Sequence, residues 1–156
     1  MNLATVNSML ELASLLNEGT DYQCTFELLQ LPAAGSLRAA LEQHFDTLID
    51  EGIRSAHPAC DWHIDVRNET GSSREAISQL VLGWMFGGHC SPDLGDRDWV
   101  RQNVVSQLSS AIEAVVGRAE AHAVYTRPPI WYEARWDDLA LSDGSNHWLL
   151  HFGFTD

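Results

Sequence analysis

The sequence predicts an α+β fold, a four-stranded, mainly antiparallel sheet with helices packed on one face, in the order α-β-α-β-α-α-β-β. Three observations predict it. Apolar residues recur at helical spacing in four segments, they alternate with polar residues in four others, and the last two alternating runs flank the turn-forming stretch SDGSN, Ser142–Asn146. No internal repeat, low-complexity tract or linker divides the 156 residues, a length that suits one domain spanning 1–156.

The first helix is expected over Asn2 to Glu18, where Leu3, Val6, Met9, Leu10, Ala13 and Leu16 share a face and Gly19 stops it. Tyr22, Cys24, Phe26 and Leu28 then alternate before Pro32, the period of a half-buried strand. From Ser36, an N-cap, Leu37, Leu41, Phe45, Leu48 and Ile49 line a second helix that Gly52 ends. Trp62, Ile64 and Val66 alternate with His63, Asp65 and Arg67, a strand with one apolar and one polar face. Ser72 or Ser73 caps a helix to about Phe86, whose apolar residues cover nearly its whole circumference. That helix, 74–86, is expected in the core or at a self-association surface. A fourth helix is expected from Asp98 to about Ala123, ended by the TRPP stretch at Thr126–Pro129. Ile130, Tyr132, Ala134 and Trp136, then Trp148, Leu150, Phe152 and Phe154, supply the two closing strands.

The charge balance removes whole classes of chemistry. There are 22 acidic and 9 basic residues, a net charge of −13, and every basic residue is Arg. Without lysine there is no Schiff-base nucleophile and no phosphate-binding P-loop, and a −13 field repels a nucleic-acid backbone. Direct nucleic-acid binding and nucleotide binding are therefore not expected. Three cysteines, Cys24, Cys60 and Cys90, at irregular spacing argue against a disulfide framework and for a reducing, cytoplasmic setting. The N-terminal segment has no signal-peptide pattern, and no apolar run is long enough to span a membrane.

The densest cluster of metal-competent side chains is HPACDWHID, His57–Asp65. Cys60 and His63 have a spacing that zinc loops use, and His89 with Cys90 would complete a ligand set from another loop. Alternatively His63 and Asp65 would converge with His147 and His151 if their strands paired, giving a small metal-dependent hydrolase or a zinc-stabilised domain. The alternation of Trp62, Ile64 and Val66 favours a plain amphipathic strand instead, so no metal, no cofactor and no catalytic residue is assigned. The chain carries none of the GxSxG, HExxH, GxGxxG or Walker patterns.

The arrangement of the acids is more distinctive. Glu42, Asp46 and Asp50 recur every four residues on the expected second helix, where like charges repel by a few tenths of a kcal/mol per pair. Asp93, Asp96 and Asp98 share one loop, and Asp137 and Asp138 lie beside the last hairpin. Folding stability alone does not choose such clusters. They point to a non-enzymatic inhibitor or interaction protein that meets a basic partner, a nuclease or nucleic-acid-binding complex, through carboxylates, with Trp residues as anchors. Small acidic proteins of two kinds do this: immunity or antitoxin proteins, and DNA mimics of the anti-restriction and anti-CRISPR type.

Overall fold

The computed structural model describes residues 1–17, 21–57, 60–86 and 98–156. Its elements in chain order are α1 (Leu3–Asn17), β1 (Gln23–Gln30), α2 (Leu37–Thr47), α3 (Glu51–Ala56), β2 (His63–Asn68), α4 (Ser73–Phe86), α5 (Asp98–Val116), β3 (Glu120–Arg127), β4 (Arg135–Ser142) and β5 (His147–Thr155). The α+β class expected from the sequence holds, with a five-stranded rather than a four-stranded sheet. Every pairing is antiparallel, and the strand order is β1-β5-β4-β3-β2.

The additional strand comes from a misplaced helix end. Gly117 adopts φ +69 and its N–H bonds to the Glu113 carbonyl, which stops α5 before the expected Ala123. Glu120–Arg127 is thereby released as β3. The strand before the last also shifts, while the last lies where Trp148, Leu150, Phe152 and Phe154 placed it. Pro128 to Ala134 is a connection, and β4 starts at Arg135, so the alternation of Ile130, Tyr132 and Trp136 is not that of a strand.

The second expected helix divides as well. Ser36 caps α2 by accepting from the Ala39 N–H, but α2 ends at Thr47. Asp50 then accepts from the Gly52 N–H and opens the short helix α3, so Gly52 begins a turn of helix instead of ending one. Ser72 and Glu75 form a reciprocal capping box at the start of α4: the Ser72 hydroxyl accepts from the Glu75 N–H, and the Glu75 carboxylate accepts from the Ser72 N–H. The bonds that the Ser72 N–H and hydroxyl donate to it hold the Glu75 carboxyl below its ordinary range.

Strand parity sorts the core into two layers. Cys24, Phe26, Leu28, Leu139, Leu141, Leu150 and Phe152 point to one face, where the three longest helices α1, α4 and α5 cover them with Val6, Leu10, Ile77, Val81, Trp84 and Ile112. Phe26 and Phe152 stack at 4.4 Å between centroids, and Trp84 meets Phe26 edge-on. The intervening residues Ala140, Leu149, Ile64 and Val124 point to the reverse face and meet Ala40, Leu41 and Phe45 of α2. Each large apolar side chain buried this way stabilises by about 1.5–3 kcal/mol. Ile77, Val81, Trp84 and Met85 of α4 are all buried, so these four apolar residues serve the core. Leu16, expected inward on α1, is half exposed, because the buried stripe runs Val6, Leu10, Ala13 and Asn17. No helix among the described residues is long and apolar enough to cross a membrane.

Candidate functional site

The reverse face carries an acidic depression. Glu42 and Asp46, on successive turns of α2, meet Asp61 from the segment entering β2 around a surface depression of about 290 Å³, with Trp62 and Ile64 as its apolar part. Phe45 fixes the indole from below, with ring centroids 4.8 Å apart, and Tyr132 abuts it edge-on at 5.1 Å. Its Nε1 has no hydrogen-bond partner among the described residues.

Local arginines meet part of this charge. Arg38 Nε bonds to Glu42 at 2.8 Å, and Arg54 pairs with Asp46. Asp50 lies off α2 and is occupied as the cap of α3. The expected three-residue stripe is therefore two residues long, and each of the two has its own arginine. Asp61 has no ion pair among the described residues, and sequence spacing missed it because α2 and β2 meet only through packing. Both arginine pairs are largely exposed, where such contacts are worth about 0–1 kcal/mol.

The remaining expected carboxylates are dispersed. Asp137 is on the helix-covered face and accepts from Trp84 Nε1 at 2.9 Å. It borders a larger groove, about 450 Å³, between α4 and strands β3 and β4, whose wall includes Gln79, Gly83, Trp84, Tyr125 and Arg135. Asp138 points the opposite way and is buried, so it does not form part of an acidic surface. Asp93 and Asp96 lie outside the described residues, as does the side chain of Asp98.

Asp138 belongs to a buried charge cluster. The β4–β5 register sets it opposite His151, whose Nδ1 bonds to Asp138 Oδ1 at 2.8 Å. The other ring nitrogen, Nε2, faces Glu133 Oε2 at 3.2 Å, from the connection before β4. Gly153 makes room for that carboxylate, since a Cβ there would overlap it, and the Ala134 N–H anchors the connection to the Phe154 carbonyl. Burial by itself would lower the His151 pKa, but the hydrogen bonds and charges of Asp138 and Glu133 outweigh it and raise it to about 10. Burial pushes the Asp138 carboxyl up, partly offset by His151. Nearby, burial raises Tyr132, reinforced by Asp138, Glu133 and Glu27. His44 of α2 is held below its ordinary value by burial, with Asp138 opposing. The cluster ties the connection before β4 to the sheet through the His151 ring, which stands between the Asp138 and Glu133 carboxyl groups.

This placement overturns the proposed histidine metal centre. His63 and Asp65 point to the helix-covered face of β2, His147 and His151 to the reverse face of β5, and β3 and β4 lie between those strands. His151 has both nitrogens committed to carboxylates, and His147 Nδ1 bonds to Ser142 Oγ at 2.8 Å. No group of three His, Cys, Asp or Glu side chains among the described residues is arranged to hold a metal ion. Neither Cys24 nor Cys60 is in a disulfide among the described residues, while His89 and Cys90, the second half of the zinc set, lie outside them. Comparison with protein-family models, with curated proteins and with solved structures finds no match to this chain.

Proposed function

We propose that this protein is a non-enzymatic, cytoplasmic interaction protein that binds a basic, nucleic-acid-handling partner, in the manner of an immunity or antitoxin protein or of a DNA mimic. The observation that carries this reading is the depression on the reverse face, where Glu42, Asp46 and Asp61 surround the Trp62 ring on a molecule of net charge −13. An arginine or lysine side chain of a partner fits that chemistry, with carboxylates to pair with and an indole face for a cation–π contact. Arg38 and Arg54 do not obstruct it. Exposed pairs exchange at little cost, and a partner guanidinium that reaches Asp61 adds a contact the free protein lacks. The overall field speeds encounter with a basic surface and makes it salt-dependent. Exposed Trp131 and Trp99 offer further apolar anchors.

The test is affinity capture from the source cell at low and high salt, repeated with two charge reversals of equal size. Asp61→Arg is expected to abolish recovery of a basic partner, while Glu11→Arg, at an exposed position of α1, leaves it nearly intact. Equal losses from both variants would show that only total charge matters and would remove the depression from the interface. Capture that is indifferent to salt would remove the electrostatic reading altogether.

A further inference from the structure

The two edges of the sheet are finished differently. In β1, the Leu31 N–H bonds to the His147 carbonyl, so by alternation the main-chain groups of Leu28 point away from β5. Asn7 of α1 occupies that edge: its Nδ2 donates to the Leu28 carbonyl at 3.0 Å and its Oδ1 accepts from the Leu28 N–H at 2.8 Å. A side-chain amide thus takes the place of an incoming strand, a recognised way of protecting an edge.

At the other edge, β2 has no such guard among the described residues. The Glu69 N–H bonds to the Ala121 carbonyl, so Arg67, Asp65 and His63 direct their main-chain groups toward β3, and Ile64, Val66 and Asn68 direct theirs outward. The side chains of His63, Asp65 and Arg67 stand on the face that carries the helices, but beyond their cover. Asp65 and Arg67, 44% and 67% exposed, pair with each other at 2.7 Å in an exposed contact that exchanges at little cost, and Arg67 lies over the Tyr125 ring at 4.8 Å.

We propose that β2 pairs with β2 of a second copy of this chain, antiparallel about a two-fold axis through Val66, joining the two sheets into one. The sequence of the edge is self-complementary in that register. Val66 meets Val66 of the second copy and Ile64 meets Asn68, which brings the outward main-chain groups into hydrogen-bonding register. On the helix-bearing face, Asp65 then lies opposite Arg67 of the second copy, and His63 opposite Glu69, each at the close, non-hydrogen-bonded spacing. Shifting the copies by two residues sets Asp65 against Asp65 or Arg67 against Arg67. A one-residue shift turns outward groups against inward ones. One register therefore satisfies both main-chain and charge requirements within the strand. The general repulsion between two −13 molecules opposes association at low ionic strength, and moderate salt, with a Debye length of about 10 Å at 0.1 M, screens it while contacting pairs persist. This inference does not depend on the partner-binding reading.

The test is solution mass by light scattering or sedimentation at moderate salt, using the wild type, Asp65→Arg, Arg67→Asp and an equimolar mixture of the two variants. The wild type is expected to dimerise. Each single variant turns attractive pairs into repulsive ones across the axis and is expected to weaken the dimer by at least about tenfold. The mixture is expected to restore it, because one variant then presents arginine at both positions and the other presents aspartate at both, so every facing pair is again of opposite charge. Amide exchange at Ile64, Val66 and Asn68 is expected to slow as protein concentration rises. A wild type that stays monomeric, variants that dimerise as well as the wild type, or a mixture that fails to dimerise would each overturn the proposal.

Discussion

Alkaline pH is expected to loosen the fold through one buried imidazole. His151 is 3% exposed at its side chain and stands between Asp138 and Glu133, which hold its pKa at about 10 against an ordinary 6.5. The folded state therefore keeps a proton that the unfolded chain releases above pH 6.5, and stability from this group is complete below 6.5 and lost as pH rises through about 10. At about 1.4 kcal/mol per unit, the interval corresponds to a loss on the order of 5 kcal/mol, comparable with the whole stability of a small domain. His44 acts in the opposite sense and in a lower range: its lowered pKa gives stability above its unfolded value that acidification removes. The two effects are separable by pH. Urea unfolding followed by tryptophan fluorescence at intervals from pH 6 to 10 measures the slope, and His151→Gln, which carries no titrating proton, is expected to flatten it. Imidazole NMR of the native protein gives the same quantity directly. Parallel pH profiles for wild type and variant, or titration of His151 near 6.5, would refute the reasoning.

Two further outcomes follow from the packing of single residues. Gly153→Ala is expected to destabilise by about 1–3 kcal/mol, because the new methyl overlaps the Glu133 carboxylate, and the loss should shrink in a Glu133→Ala background. Thermal unfolding of the four proteins in this double-mutant cycle measures the coupling, and strictly additive effects would place Glu133 elsewhere. Asn7→Ala is expected to leave the outward groups of Leu28 without their side-chain partners, costing about 1–3 kcal/mol and speeding exchange of the Leu28 amide. Unchanged exchange at Leu28 would show that Asn7 does not guard the edge.

Local periodicity made much of the fold legible. The helix and strand periods of α1, β1 and β2 were visible because each buries one face, α4 was visible through its serine cap, and the SDGSN turn was visible in its residue types. In the structure Asp143 accepts from the Ser145 and Asn146 N–H groups, while Gly144 takes φ +90. Errors arose where one position overrode a pattern. Gly117 ended a run that otherwise continued at helical spacing into β3, and the Asp50 cap divided what read as one helix. β4 was misplaced because Asp138 to Ser142 are buried in succession, covered on both faces of a central strand, so no alternation marks them. The acidic depression was half legible: Glu42 and Asp46 share a helical spacing, whereas Asp61 joins them only through the packing of Phe45 on Trp62. The Asp138–His151 pair follows from hairpin register and becomes readable only when β4 is placed correctly.

The position of β5 has a consequence for how the chain folds during synthesis. It lies between β1 and β4, pairing Gln23 with Thr155 and Arg135 with Phe154. β1, made early, has no neighbour in the sheet until residues 147–155 have left the ribosome, and Phe26 and Leu28 lack the Phe152 and Leu150 they pair with. Helices can form on the nascent chain, and α1 can cover one face of β1, but closure of the sheet waits for this late segment, a high-contact-order step that slows folding.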